Sequence, residues 1–128
     1  MGGDNGPKAV VEGVCRACEA GNLNILLAGD QEILEAELVH FPKVRDFIEI
    51  IHAPQSIPMD AKPKEIFDKY PDSSMIKAAE IVSTGQADAL ISAGNTGALI
   101  LASAQKIPRI KTVHRTALAA VYPTSNQL

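Results

Sequence analysis

The residues best suited to chemistry form the run Ser92-Ala93-Gly94-Asn95-Thr96-Gly97. It joins a short apolar stretch, residues 87–92, to a longer one, residues 96–105. Read as a strand, a turn and a helix, this arrangement makes an anion site, with phosphate the expected occupant. Gly94 and Gly97 let the backbone come close to a ligand. The first N–H groups of a helix point outward without partners and favour negative charge. Asn95 and Thr96 add side-chain donors, and Ser92 adds a hydroxyl. A plainer role for the same residues is a capped junction, with Asn95 or Thr96 as the cap. No Gly-Lys-Ser/Thr follows, so the run is not a nucleotide P-loop.

Other polar groups stand at similar junctions. The opening Met-Gly-Gly-Asp-Asn-Gly-Pro is a second glycine-rich turn before a helix, and Asp4 and Asn5 either touch a ligand or cap that helix. Asp60 and Lys62 lie in a loop, where solvation is the ordinary fate of a lone charge. Ser73 and Ser74 begin another helix, for which capping is a sufficient reason. Lys106, Arg109, Lys111, His114 and Arg115 form an acid-free basic segment. It suits an acidic partner or a phosphate, or is simply solvated. His40 and His52 are isolated in sequence and read as structural or surface residues. Cys15 and Cys18 share an apolar helical stripe with Val10, Val11 and Val14 and read as packing residues. No further cysteine completes a metal site.

The elements that must hold these groups follow from apolar spacing. A helix is predicted from Pro7 to the Gly21-Asn22 stop. A buried strand follows at residues 23–28, then a helix at 31–40, ended by Pro42. A second strand covers residues 46–51. Residues 52–72 form a proline-rich loop with a short helix near 64–69. The next helix, capped at Asp72-Ser73, shows Met75, Ala78, Ala79 and Val82 on one face and stops at Gly85. Residues 87–92 are the third strand. Residues 96–105 are a helix apolar almost all round, hence expected to be deeply buried. Residues 117–121 are a fourth strand, ended by Pro123. Alternating strands and helices imply an α/β fold with a mostly parallel sheet and right-handed crossovers. The core must come from Ala, Val, Ile and Leu, because aromatics make up only 4% of the 128 residues.

Bulk properties narrow the function. A net charge of −3 argues against general nucleic-acid binding. No run reaches the roughly 18 apolar residues of a membrane span, and the opening lacks a secretory pattern. A cytoplasmic protein is expected. The glycine-rich opening should follow a strand, and the chain closes just after one. It is therefore expected to be a single α/β segment, residues 1–128, from the N-terminal part of a larger enzyme, without that enzyme's first strand and C-terminal half.

Taken together, MGGDNGPKAVVEG, MDAKP, DSSM, ADALISAGNTGAL and ALAAVYPT resemble, in order and spacing, the bacterial phosphate acyltransferases of phospholipid synthesis. These are the acyl-carrier-protein:phosphate transacylases of the PlsX family, and the resemblance covers nearly the whole chain. It implies transfer of a fatty acyl group from acyl carrier protein to inorganic phosphate, giving acyl phosphate. It also implies a fold like that of the isopropylmalate dehydrogenases, a homodimer, a cytoplasmic location with peripheral attachment to the inner face of the membrane, and no metal or organic cofactor. On this resemblance Asn95, Lys62 and Ser74 are expected to be catalytic. Asp4, Asn5, Ser73, Ser92, Gly94, Thr96, Gly97 and Arg115 are expected to bind phosphate or substrate. The chain departs from the family pattern at Pro58, at Tyr70-Pro71 and at Thr116. Related readings are a phosphate acetyltransferase-like enzyme using a coenzyme A thioester and a non-catalytic phosphate- or carrier-binding fragment. A nicotinamide dehydrogenase is suggested by fold alone.

Overall fold

The computed structural model describes residues 1–21 and 23–120. Helix α1 spans Gly6–Ala20, with Pro7 in its first turn. Its buried face carries Val11, Cys15 and Cys18. Burial pushes both thiols above their ordinary pKa, with Cys18 and Glu19 adding to the effect on Cys15. The cysteines are therefore neutral packing groups at physiological pH, and they are not bonded to each other.

Strand β1, Ile25–Gly29, and strand β2, Ile48–His52, pair in parallel, from Ile25 opposite Ile48 to Gly29 opposite His52. A parallel pair needs a crossover. Here it is α2, Gln31–Leu38, followed by a 3-10 helix at Pro42–Phe47. Asp30 caps α2 by accepting from the Ile33 N–H at 3.1 Å. His52 Nδ1 accepts from the Gln31 N–H at 3.3 Å, so this histidine ties the end of β2 to the start of α2. Arg45 pins the crossover from the other side. It donates to the Ile48 carbonyl at 2.7 Å and pairs with Glu35 at 3.1 Å. Helix α2 stops two residues before the predicted end, and the second strand starts two residues late, because the chain from Pro42 winds into the 3-10 turns.

Beyond β2 lie a 3-10 turn at Pro63–Glu65, helix α3 at Ile66–Lys69, helix α4 at Ser74–Ser83 and helix α5 at Thr96–Lys106. Gly85, at φ +74°, leaves α4 in the left-handed conformation that glycine tolerates. Lys106 pairs with Glu80 at 2.8 Å and fastens the end of α5 to α4.

Two apolar clusters result. The first joins α1, β1, α2 and β2 through Val11, Leu27, Leu34 and Ile48. The second joins the 52–70 segment to α4 and α5 through Ile57, Ile66, Ile76, Ala98 and Ala102.

The fold is α/β, with a parallel sheet of two strands among the described residues. Three expectations need correction. Residues 87–92 form no regular element and pair with no strand among the described residues, and Ile91 is 95% exposed. Their apolar pattern is that of a strand, but no neighbouring backbone offers a ladder. The same holds for residues 117–120, where Leu118 is exposed. Val121 and the Pro123 that was to end the strand lie outside the described residues. Helix α5 is not buried all round. Only Ala98 and Ala102 are fully enclosed, on the side where α5 packs against α4 and the Pro63 turn, and Thr96, Ala104 and Gln105 are exposed.

Candidate functional site

The site begins at the carboxyl end of the two strands, where ligands bind in open α/β sheets. Met1 packs on Gly29, the last residue of β1: a Cβ on Gly29 would lie 2.8 Å from Met1 Cγ. Gly2 presses on the loop that follows β2, so that a Cβ there would collide with the Ile57 carbonyl oxygen. Gly3 lies against the turn before α5, where a Cβ would come within 3.1 Å of the Ala93 carbonyl oxygen. These approaches require glycine and seat the opening turn between two segments distant in sequence. Asp4 and Asn5 stand exposed on its outer side. Neither side chain caps α1, since Asn5 occupies the cap position without making the bond.

The turn before α5 is tightly specified. Ser92 Oγ accepts from the Gly94 N–H at 3.2 Å. Asn95 caps the helix, its Oδ1 accepting from the Ala98 N–H at 3.0 Å. Its Nδ2 donates toward the carbonyl oxygens of Met59 and Ala61, each at 2.9 Å, and of Pro58 at 3.3 Å. Asn95 is 7% exposed, and its donors face protein. The N–H groups of Thr96 and Gly97, in the first turn of α5, have no acceptor among the described residues. Thr96 is exposed and Gly97 half-buried.

Lys62 reaches this helix start through its loop. Pro63 packs directly on Gly97, where a Cβ would lie 2.6 Å from Pro63 Cγ. Lys62 is exposed, between the carbonyls held by Asn95 and the ring held by Gly97. Helix α4 also starts nearby. A Cβ on Gly94 would lie 3.2 Å from Met75 Cε. Ser74 is half-buried, and its N–H donates to the Gln55 carbonyl at 3.0 Å. Ser73 is fully buried, and its hydroxyl has no hydrogen-bond partner among the described residues. It occupies the cap position of α4 without a side-chain cap bond.

The structure therefore gathers the opening turn, the Lys62 loop and the start of α5, with the start of α4 beside them. Arg115 stays apart. It lies in the exposed segment 108–120 and makes no ion pair or hydrogen bond with other described residues. In that segment Arg109 donates to the His114 carbonyl at 2.7 Å. Among the described residues no three His, Cys, Asp or Glu come together as a metal site, and no helix is long and apolar enough to cross a membrane. Sequence reasoning did not find the part played by Pro63. Its signal is only the Lys-Pro pair of the MDAKP run.

The start of α5 offers two N–H groups without an acceptor among the described residues and the Thr96 hydroxyl, with the Lys62 loop packed beside them, and unpartnered N–H groups at a helix start favour negative charge.

Comparison with known proteins agrees in sequence along the whole chain. A phosphate acyltransferase of Alkaliphilus oremlandii is 41% identical over 125 residues, 98% of this chain and 37% of that protein. One from Streptococcus uberis is 42% identical over 128 residues, 99% of this chain and 37% of that protein. One from Streptococcus equi subsp. zooepidemicus is 44% identical over 125 residues, 97% of this chain and 36% of that protein. The chain thus spans a little over a third of the length of these relatives. The family described as fatty acid synthesis protein matches residues 1–128. With that match across its full length, the chain belongs to the fatty acid synthesis protein family.

Proposed function

We propose that this chain forms the phosphate-holding part of a phosphate acyltransferase, which moves a fatty acyl group from the thioester of acyl carrier protein to inorganic phosphate. One observation carries the reading: the start of α5, whose Thr96 and Gly97 N–H groups have no acceptor among the described residues, adjoins both the Lys62 loop and the opening turn. The name shared by the relatives supports it.

In this reaction a phosphate oxygen attacks the thioester carbonyl carbon. The new C–O bond forms as the C–S bond breaks, and the thiolate leaves and takes a proton from solvent. Thiolate is a good leaving group, so the chief demands are orientation and charge stabilisation. Thr96 and Gly97 orient the phosphate through their N–H groups, and Lys62 offsets its charge. Asp4 and Asn5 border the cleft on the opening turn. Ser74, at the start of α4, faces the thioester side, and Ser92 shapes the turn through its bond to Gly94. Arg115 serves the acidic carrier from the basic segment. A homodimer in the cytoplasm, at the inner face of the membrane, completes this reading.

The test uses the full-length polypeptide with inorganic phosphate and an acyl thioester of either carrier protein or coenzyme A. Free thiol and acyl phosphate are followed together. Phosphate-dependent thiol release from the carrier thioester is the expected result. Release only from coenzyme A would move the reading to a phosphate acetyltransferase-like enzyme. Phosphate binding without turnover on either thioester would overturn the catalytic reading.

A further inference from the structure

We propose that Asn95 is a positioning residue that acts through Lys62, rather than a ligand of the phosphate. This rests on the phosphate site described above and assigns the work within it. A primary amide has two N–H hydrogens. In Asn95 they face three carbonyl oxygens, those of Pro58, Met59 and Ala61, at 2.9 to 3.3 Å. Its carbonyl oxygen holds the Ala98 N–H. The side chain is 93% buried by these contacts, 7% of its surface remaining, and no donor is left for an anion.

What the amide does is gather one loop. Three carbonyls from a four-residue stretch converge on one nitrogen, and that stretch is closed by the Ala61 N–H donating to the Pro58 carbonyl at 3.1 Å. Two residues further on, Pro63 rests on Gly97. Lys62 is thus held between two fixed points, both belonging to the start of α5. The backbone of the lysine therefore keeps a set position relative to the start of α5. A flexible loop in the same place would not hold the root of this side chain beside the helix start.

Three variants of the full-length polypeptide separate clamp from cap. Asn95→Ser keeps an oxygen able to cap α5 and removes the clamp. Gly97→Ala leaves Asn95 intact and displaces Pro63, the other fixed point. Lys62→Ala removes the charge itself. Hydrogen exchange is read at Ala61 and Glu65, whose N–H groups donate within the loop to Pro58 and Lys62. Exchange there should rise about tenfold in both Asn95→Ser and Gly97→Ala, with α5 beyond Ala98 unchanged. Phosphate kcat/KM should fall on the order of tenfold to a hundredfold in Asn95→Ser. The double variant Asn95→Ser/Lys62→Ala should be no worse than Lys62→Ala alone, as for two residues acting as one unit.

Unchanged loop exchange in Asn95→Ser with a raised phosphate KM would make Asn95 a direct ligand and overturn the proposal. So would losses that simply add in the double variant. Lack of phosphate-dependent turnover in the wild type would overturn the enzymatic reading and with it the role of Lys62. The exchange data would still decide whether the clamp exists.

Discussion

Ser73 and Asn95 both stand at helix caps, yet only one behaves as a cap. Asn95 holds the Ala98 N–H, whereas the Ser73 hydroxyl is buried with no partner among the described residues. Replacing a working serine cap with alanine costs about 1 kcal/mol. A buried hydroxyl without a hydrogen bond is itself a burden of about 1–3 kcal/mol. Ser73→Ala should therefore leave stability unchanged or raise it slightly. Urea unfolding of the full-length polypeptide measures this, and a loss above about 1 kcal/mol would contradict the geometry. The two residues also show what the sequence can disclose. A cap is local, so Asn before an apolar helix already suggested it. The Asn95 clamp joins residues 34 to 37 positions apart, and nothing near Asn95 in the sequence signals such a contact.

Elements were legible where their signals are local, and obscure where they depend on a neighbour. Helices α1 and α4 follow their apolar spacing, and β1 and β2 their short apolar runs. The short helix near residues 64–69 is present as a 3-10 turn leading into α3. Residues 87–92 carry a short apolar run but join no ladder among the described residues, and a strand exists only through its partner. From the 3-10 turn into α3 the (i, i+4) pair Glu65–Lys69 closes at 2.6 Å. The hydrogen bond from Lys69 holds the Glu65 carboxyl below its ordinary pKa, and the bond to Glu65 holds Lys69 above its own. The signs follow. The Glu65 contribution is complete above the ordinary carboxylate range and is lost as pH falls through the lowered pKa. The Lys69 contribution is complete below the ordinary lysine pKa and is lost as pH rises through the raised one. Lys69→Met should return the Glu65 pKa upward toward its ordinary value. A carboxyl-detected NMR titration tests this, and an unmoved Glu65 would refute the pairing.

At the scale of the whole molecule the sheet is narrow and apolar surface is left open. A sheet of two strands depends on the helices that cover it for its stability. Ile91, Ile110 and Leu118 are exposed large apolar side chains. Exposed apolar groups of this kind invite association. The 128-residue chain should bind a hydrophobic dye and self-associate with rising concentration. Dye fluorescence and sedimentation velocity measure both. A dye-silent monomer with a sharp thermal transition would show that these segments find cover within the chain itself.

The meeting of the three segments also bears on the order of folding. Most contacts of the first apolar cluster lie within residues 1–50, and those of the second within residues 57–102. Each can gather by closing comparatively short loops. The contacts of Gly2 with Ile57 and of Gly3 with Ala93 span longer separations, and their loop-closure entropy must be met before they give anything back. They belong late on the folding path. Gly2→Ala, which crowds the first of these contacts, should then hasten unfolding and leave the folding rate nearly untouched. Stopped-flow refolding and unfolding arms would show it, and an equal slowing of refolding would place the seating of the opening turn in the nucleus. The phosphate site would in that case be among the first parts of the molecule to form, rather than the last to close.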